Sequence, residues 1–351
     1  MKPKKKIAII GAGIFGCTLA IILSKKFEVE IFEKKSGILN EASKMNQFRF
    51  HLGFHYPRSQ KTIKKIKKNY NDFFKFYGKD IYGNTHNYYF VSKKKSKINF
   101  QQYLKVLKRN KLKFKVIKNL PFSGKDVEGI IKTPEKVLNY FSLKKKISSI
   151  LKEKRIKVNY KREIIKKNLD SYDYVFLCTY RNNNRILKNL NLKKIKKLRY
   201  ELVEKILVKL PKRYKRISCV VIDGKFLCID PYVGTNYHLL SHVKFSKIVI
   251  QNKKDYDFNK NKSLLKNEVI KSLKISRFSK IIESGKNYLP FLSQAKYIKS
   301  FYLIRTLNVD SMIDDDRTNQ IKKINEKIYT ILSGKWNTAV SLSKEILRNL
   351  S

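Results

Sequence analysis

The stretch from Lys6 to Glu33 admits few folds. Ile7-Ala8-Ile9-Ile10 is a short apolar run of strand-forming residues. Gly11, Gly13 and Gly16 follow with the spacing G-x-G-x-x-G, and Cys17 to Leu23 continues as an apolar helix. Phe27 to Phe32 reads as a second strand, and Glu33 closes it about twenty residues after the glycines begin. Gly11 allows a turn that a Cβ would hinder, Gly13 lets the backbone approach a pyrophosphate, and Gly16 lets the helix pack closely on the strand. The helix start offers free N–H groups and the positive end of its dipole to phosphates. Glu33 is placed to accept hydrogen bonds from ribose hydroxyls. Strand, turn, helix and acid in this order predict a dinucleotide site. The basic start Met1 to Lys6 before an apolar run also has the outline of a secretion leader, but three glycines interrupt that run and Phe15 is bulky for a cleavage site.

A chain of 351 residues with 42% hydrophobic content is large enough for two domains with buried cores. No other apolar run is long enough to span a bilayer. Cys17, Cys178, Cys219 and Cys228 are scattered without metal-ligand spacing and read as buried thiols in a reducing, cytoplasmic setting. The formal net charge of +53 raises the question of nucleic acid. The lysines are spread along the whole chain among abundant Ile and Asn, and no RNA-recognition, KH or zinc-finger pattern accompanies them. Polyanion binding at low salt is expected, a sequence-specific nucleic-acid partner is not. Such a field attracts an anionic small-molecule substrate.

Along the chain, Asn46 to Ser59 concentrates Arg49, His51, His55 and Arg58 among aromatics, which suggests a lined cavity. Ser59 is placed to cap a helix whose apolar stripe runs through Ile63, Ile66, Tyr70, Phe73, Phe74 and Tyr77. Thr133 with Pro134 predicts a helix start and a helix over Val137 to Leu151. Tyr172 to Thr179 is a buried strand. From Tyr200 the pattern turns to strands, with Cys219 to Ile222, the turn Asp223-Gly224 and Phe226 to Ile229 forming a hairpin. Ser263 to Leu273 reads as helical. Tyr302 to Thr306 and Ile328 to Leu332 read as strands, and Asn337 is expected to cap a final helix. The cluster Asp314-Asp315-Asp316 lacks the spacing and closing Glu of a calcium loop, so no metal is expected.

Taken in order, these pieces resemble the FAD-dependent D-amino-acid oxidase superfamily, which includes glycine oxidase, sarcosine-oxidase-like enzymes and L-2-hydroxyglutarate dehydrogenase. The resemblance rests on the glycine motif with Glu33, and on Asn46, His51, Gly53 and His55-Tyr56 in a flavin-side segment. It also rests on a strand ending Cys178-Thr179-Tyr180 where the family often has Ala-Thr-Gly, and on Ser333-Gly334-Lys335 before the last helix. It implies an α/β fold, a Rossmann-type FAD-binding domain with an inserted antiparallel-sheet substrate domain. The expected pieces are 1–78, 129–195 and 286–351 for FAD and 79–128 and 196–285 for substrate. The implied cofactor contacts are Gly11, Gly13, Ile14, Phe15, Gly16, Glu33, Lys34, Ser43, Asn46, Gln47, Thr179, Gly334 and Lys335. The implied activity is hydride transfer from an amino-acid-like or 2-hydroxy-acid-like molecule to flavin N5. His51, His55 and Lys335 are the candidate catalytic groups, and Arg49, Arg305 and Arg317 the candidate carboxylate forks. A sugar- or sugar-nucleotide-modifying flavoenzyme and a basic nucleic-acid-binding protein are the alternatives.

Overall fold

The computed structural model describes residues 3–164, 169–192, 196–266, 269–309, 320–332 and 335–350. Strand β1 (Lys6–Ile10) leads through the glycine turn into helix α1 (Ile14–Leu23), and strand β2 (Glu28–Glu33) returns beside β1 in parallel. On the other side of β1 lies Tyr174–Leu177, also parallel, followed by Ile328–Leu332 and the antiparallel edge strand Gln320–Lys323. Lys157–Tyr160 completes the six-stranded sheet beyond β2. The chain leaves β1 for one neighbour and later comes back to its other side. β1 is therefore the topological switch point, and the crevice at its carboxyl end is where an open α/β sheet binds ligands.

Helix α1 is buried on nearly every side because the sheet covers one face while Tyr140–Glu153 and Ala339–Leu350 pack on the others. Its Thr18 hydroxyl meets the Tyr77 hydroxyl at 2.8 Å, tying it to the helix Gln60–Tyr77. That helix starts at Ser59, whose side chain accepts from the Thr62 N–H, and buries Ile63, Ile66, Phe73 and Tyr77 as its stripe predicts.

The second sheet has ten strands around the long strand Leu198–Lys209, which pairs with Lys296–Asn308 along its whole length. His238–His242, Leu227–Pro231 and Ile217–Ile222 follow as antiparallel neighbours, the last two forming the expected hairpin with Cys219 opposite Ile229. His86–Ser92, Val127–Thr133 and Lys115–Ile117 extend the sheet. Val127–Thr133 straddles the expected boundary at 128/129, and Lys296–Asn308 falls within the expected piece 286–351.

Three local expectations are corrected. The helix expected from Val137 begins at Tyr140, because Thr133 pairs with Asn87 in the sheet and Val137 pairs with Arg49. Its cap is Asn139, whose side chain accepts from the Phe141 and Ser142 N–H groups. The helix expected over Ser263 to Leu273 is confined to Lys262–Lys266, and Val269–Ile270 adds a strand to Lys296–Asn308. Asn337 does not cap the final helix. It lies inside a 3-10 turn, Trp336–Thr338, that precedes Ala339–Leu350, and it is buried. Cys17, Cys178 and Cys219 are buried thiols.

Candidate active site

The glycine turn is shaped from within. Gly11 has φ +103°, and a Cβ there would stand 2.9 Å from the Cys178 carbonyl oxygen. A Cβ on Gly16 would overlap the Gly11 carbonyl oxygen. Gly13 differs: a Cβ would touch only Ser43 Oγ at 3.5 Å, an ordinary contact, with open space elsewhere. What the missing side chain leaves at Gly13 is therefore room outside the protein. The Ile14 N–H donates to Ser43 Oγ at 3.1 Å, so the first turn of α1 is steadied by a neighbouring loop. Buried Glu33 accepts from the Ala12 N–H through Oε2 and from the Lys35 N–H through Oε1, both at 2.8 Å. A carboxylate has about four acceptor positions, so Glu33 retains capacity for a sugar hydroxyl. Open space over Gly13, the N-terminal end of α1 and this acid fit a dinucleotide cofactor.

The loop after β2 turns into the second sheet. The Gln47 amide donates to the Leu239 carbonyl at 2.6 Å, and its oxygen accepts from Lys205 Nζ at 3.2 Å and Ser241 Oγ at 3.1 Å. Phe48 holds φ +58°, a strained value for a bulky residue. It is kept there by stacking on Tyr232 at 5.6 Å and by the edge of Trp336 at 5.6 Å. Strain maintained by packing is often found beside functional sites.

Arg49 lines the cavity but is buried and held by protein partners. Its Nη2 meets Asp230 Oδ1 and Ser218 Oγ, each at 2.5 Å, and Nη1 lies 3.6 Å from Glu135 Oε2. Burial opposes its charge, but Asp230, Tyr89 and Glu135 hold the guanidinium charged beyond its ordinary range. Arg305 is likewise occupied: its Nε donates to Glu201 Oε2 at 2.8 Å and its Nη2 to the same oxygen. Burial pushes the Glu201 carboxyl up, but Arg305, Arg199 and Lys247 bring it down to about 2. Arg317 and Gly334 lie outside the described residues, as does the Asp314 to Asp316 cluster.

His51, His55, Tyr56 and Lys335 converge. The His51 ring is 5.3 Å from His55 and 5.9 Å from Tyr56, and Lys335 Nζ sits 3.8 Å over the Tyr56 ring. The loops following β2 and Ile328–Leu332 open on the same edge of the first sheet, so residues nearly three hundred positions apart share one wall. Thr179 donates both its N–H and its hydroxyl to Asn183 Oδ1, which fixes the third loop of that edge.

A cavity of about 1110 Å³ joins these parts. Gly11, Gly13, Ile14, Phe15, Glu33, Lys34, Ser43, Asn46, Gln47 and Thr179 line it, as do Arg49, His51, His55, Arg305 and Lys335. Gly16 lies behind the turn. Glu135, Asp230 and Lys205 were not singled out in the sequence. Glu135 follows a Thr-Pro pair that reads as a helix start, and Asp230 and Lys205 follow only from strand register.

A family model described as an NAD(P)-binding Rossmann-like domain matches residues 9–73. L-α-glycerophosphate oxidase from Mycoplasma pneumoniae superposes with TM-score 0.73 over 100% of this chain and 95% of its own, at 12% identity. Glycine oxidase from Geobacillus kaustophilus superposes with TM-score 0.69 over 99% and 94%, at 13% identity. The chain has the fold of the FAD-dependent oxidoreductases of the D-amino-acid oxidase superfamily. In sequence, a Fusarium mangiferae protein named FAD-dependent monooxygenase FPY4 is 24% identical over 97% of this chain and 90% of its own length. The glycine turn lines one part of the cavity, and residues of the second sheet line another. Among the described residues no helix is long and apolar enough to cross a membrane.

Proposed function

We propose that this chain is an FAD-dependent oxidoreductase that removes a hydride from the carbon bearing the nitrogen or oxygen of a small, anionic amino- or hydroxy-acid-like molecule. One observation carries the reading: a single cavity runs from the glycine turn and Glu33 to the wall of His51, His55, Tyr56 and Lys335. Its volume leaves room for a dinucleotide and a small second molecule. Gly11, Gly13, the first amides of α1, Glu33, Ser43 and Thr179 would hold FAD. Bound FAD supplies a hydride acceptor. His51 and His55 are placed to take the proton of the substrate heteroatom, and Lys335 brings a cation to the same wall.

The anionic class is supported by the far end of the cavity. Arg58, Lys95, Lys97 and Lys225 line it. Asp223 orders this rim, accepting from Arg58 Nε at 2.5 Å and, through its carbonyl, from the Lys97 N–H at 2.9 Å. Two solved neighbours are named for glycine and for L-α-glycerophosphate.

The test is to purify the full chain, record a flavin absorbance spectrum, and add amino acids, 2-hydroxy acids, glycerol phosphates and sugars without oxygen. Bleaching by an anionic amino or hydroxy compound supports the reading. A colourless protein that FAD cannot reconstitute refutes it, and bleaching by neutral sugars alone favours a sugar-modifying flavoenzyme. The name of the Fusarium relative adds an oxygen-inserting outcome, which the product mass distinguishes from an imine or ketone.

A further inference from the structure

Glu135 is a buried acid behind the histidine wall. Its Oε1 accepts from the Leu52 N–H at 2.7 Å and lies 3.9 Å from His51 Nδ1. Its Oε2 accepts from the Tyr89 hydroxyl at 2.7 Å and faces Arg49 Nη1. The carboxylate is fully covered while His51 is about one-quarter exposed, so the pair spans the cavity wall with the acid inside and the ring at the surface.

We propose that Glu135 is a positioning residue: its carboxylate keeps His51 with Nδ1 turned inward and carrying the ring's proton, and thereby sets the pH at which the cavity wall takes up a proton from a substrate. The buried charges support this. Arg49 is shared by Asp230 and Glu135, one cation between two acids; burial pushes the Glu135 carboxyl up while Arg49, the Leu52 N–H and the Tyr89 hydroxyl oppose this, and with both acids ionised a protonated His51 brings the group to neutrality. An uncompensated charge in such a place is costly. Several groups among the described residues face His51. His55 and Tyr56 come from its own loop, Lys335 lies over Tyr56 from the last loop, and Arg49 stands behind Glu135. Arg49 and Lys335 disfavour a charged imidazole, and Glu135 favours it. A plain structural alternative has Glu135 only clamping the loop through Leu52.

Two measurements separate these readings, and neither needs turnover. Nitrogen NMR of the full chain with labelled histidine, assigned with His51→Gln, reports which ring nitrogen of neutral His51 carries the proton. The expected form is Nδ1–H, and Nε2–H overturns the proposal. In Glu135→Gln the side-chain oxygen still accepts from Leu52, so the clamp is kept and the charge is lost. The His51 titration is then expected to fall by at least about one pH unit, with His86 unchanged as an internal control. A folded Glu135→Gln protein with the wild-type His51 titration overturns the proposal. The kinetic arm alone rests on the oxidoreductase reading: the acidic limb of the bleaching profile should shift with the His51 titration. An absence of bleaching would count against that reading and leave the two NMR results to decide this one.

Discussion

Gly13 and Gly16 sit three residues apart in one motif, yet the structure predicts opposite consequences for the same substitution. In Gly13→Ala the new methyl group meets Ser43 Oγ at 3.5 Å and nothing else nearby, and the backbone conformation suits any residue. The apo protein should therefore change in stability by about 0.5 kcal/mol or less. The cost falls on the ligand, because the methyl group occupies the space through which a pyrophosphate reaches the amides of α1. Losing one such bond to a charged group costs about 1.5–3 kcal/mol, a drop in FAD affinity of roughly 10- to 150-fold. In Gly16→Ala the methyl group overlaps the Gly11 carbonyl oxygen, so α1 must move off β1. Such overpacking costs about 1–3 kcal/mol of stability before any ligand is present. Thermal melts of the apo proteins, with flavin-fluorescence titrations for affinity, test both arms. The reasoning is refuted if apo Gly13→Ala melts as low as Gly16→Ala, or if it binds FAD as tightly as wild type.

Three further predictions follow from the charged groups. Glu201 is held at about 2 against an ordinary 4.5, so its stabilisation is complete above about 4.5 and is lost as pH falls through 2. Glu201→Gln should cost about 3 kcal/mol in neutral urea denaturation and converge with wild type near pH 2, and a pH-independent difference would contradict this. His242 is lowered to about 4 by burial and the nearby Lys244, and its Nδ1 accepts from the Lys244 and Phe245 N–H groups at 3.0 and 3.2 Å. Its neutral form stabilises the fold fully above about 6.5, and up to about 3 kcal/mol is lost as pH falls to 4, a slope that His242→Gln should flatten. Lys335→Met removes the cation over Tyr56 and should make the bound flavin harder to reduce in a potential titration; an unchanged potential would remove Lys335 from the site.

The fold of the glycine turn was legible because several independent constraints coincide there. Three glycines, a strand before, a helix after and an acid at the right distance each restrict the same backbone, and all are local. Arg49 was legible as important, but its buried partners were not. An arginine among aromatics reads as ligand-facing, whereas its partners Asp230 and Glu135 lie 181 and 86 positions away and reach it only through strand register. The pairing of Val137 with Arg49 carries Glu135 under His51, and no periodicity around Thr133-Pro134-Glu135 announces that pairing.

The scarce residues are the more informative ones in this chain. With 80 Lys and Arg against 27 Asp and Glu, any given cation is poor guidance to a site, because most are solvated. A buried acid is different: it must find donors, and in doing so it organises them. Glu33 gathers the Ala12 amide of the glycine turn and the Lys35 amide beyond it, and Asp223 gathers Arg58 and the Lys97 amide. Asp230 and Glu135 divide Arg49 between them beneath the histidines. Glu33 and Asp223 line the cavity itself, while Asp230 and Glu135 lie behind its histidine wall. Their distribution, more than the excess of lysine, gives the site its electrostatic shape, a cationic mouth leading to a wall where one histidine stands over a buried acid.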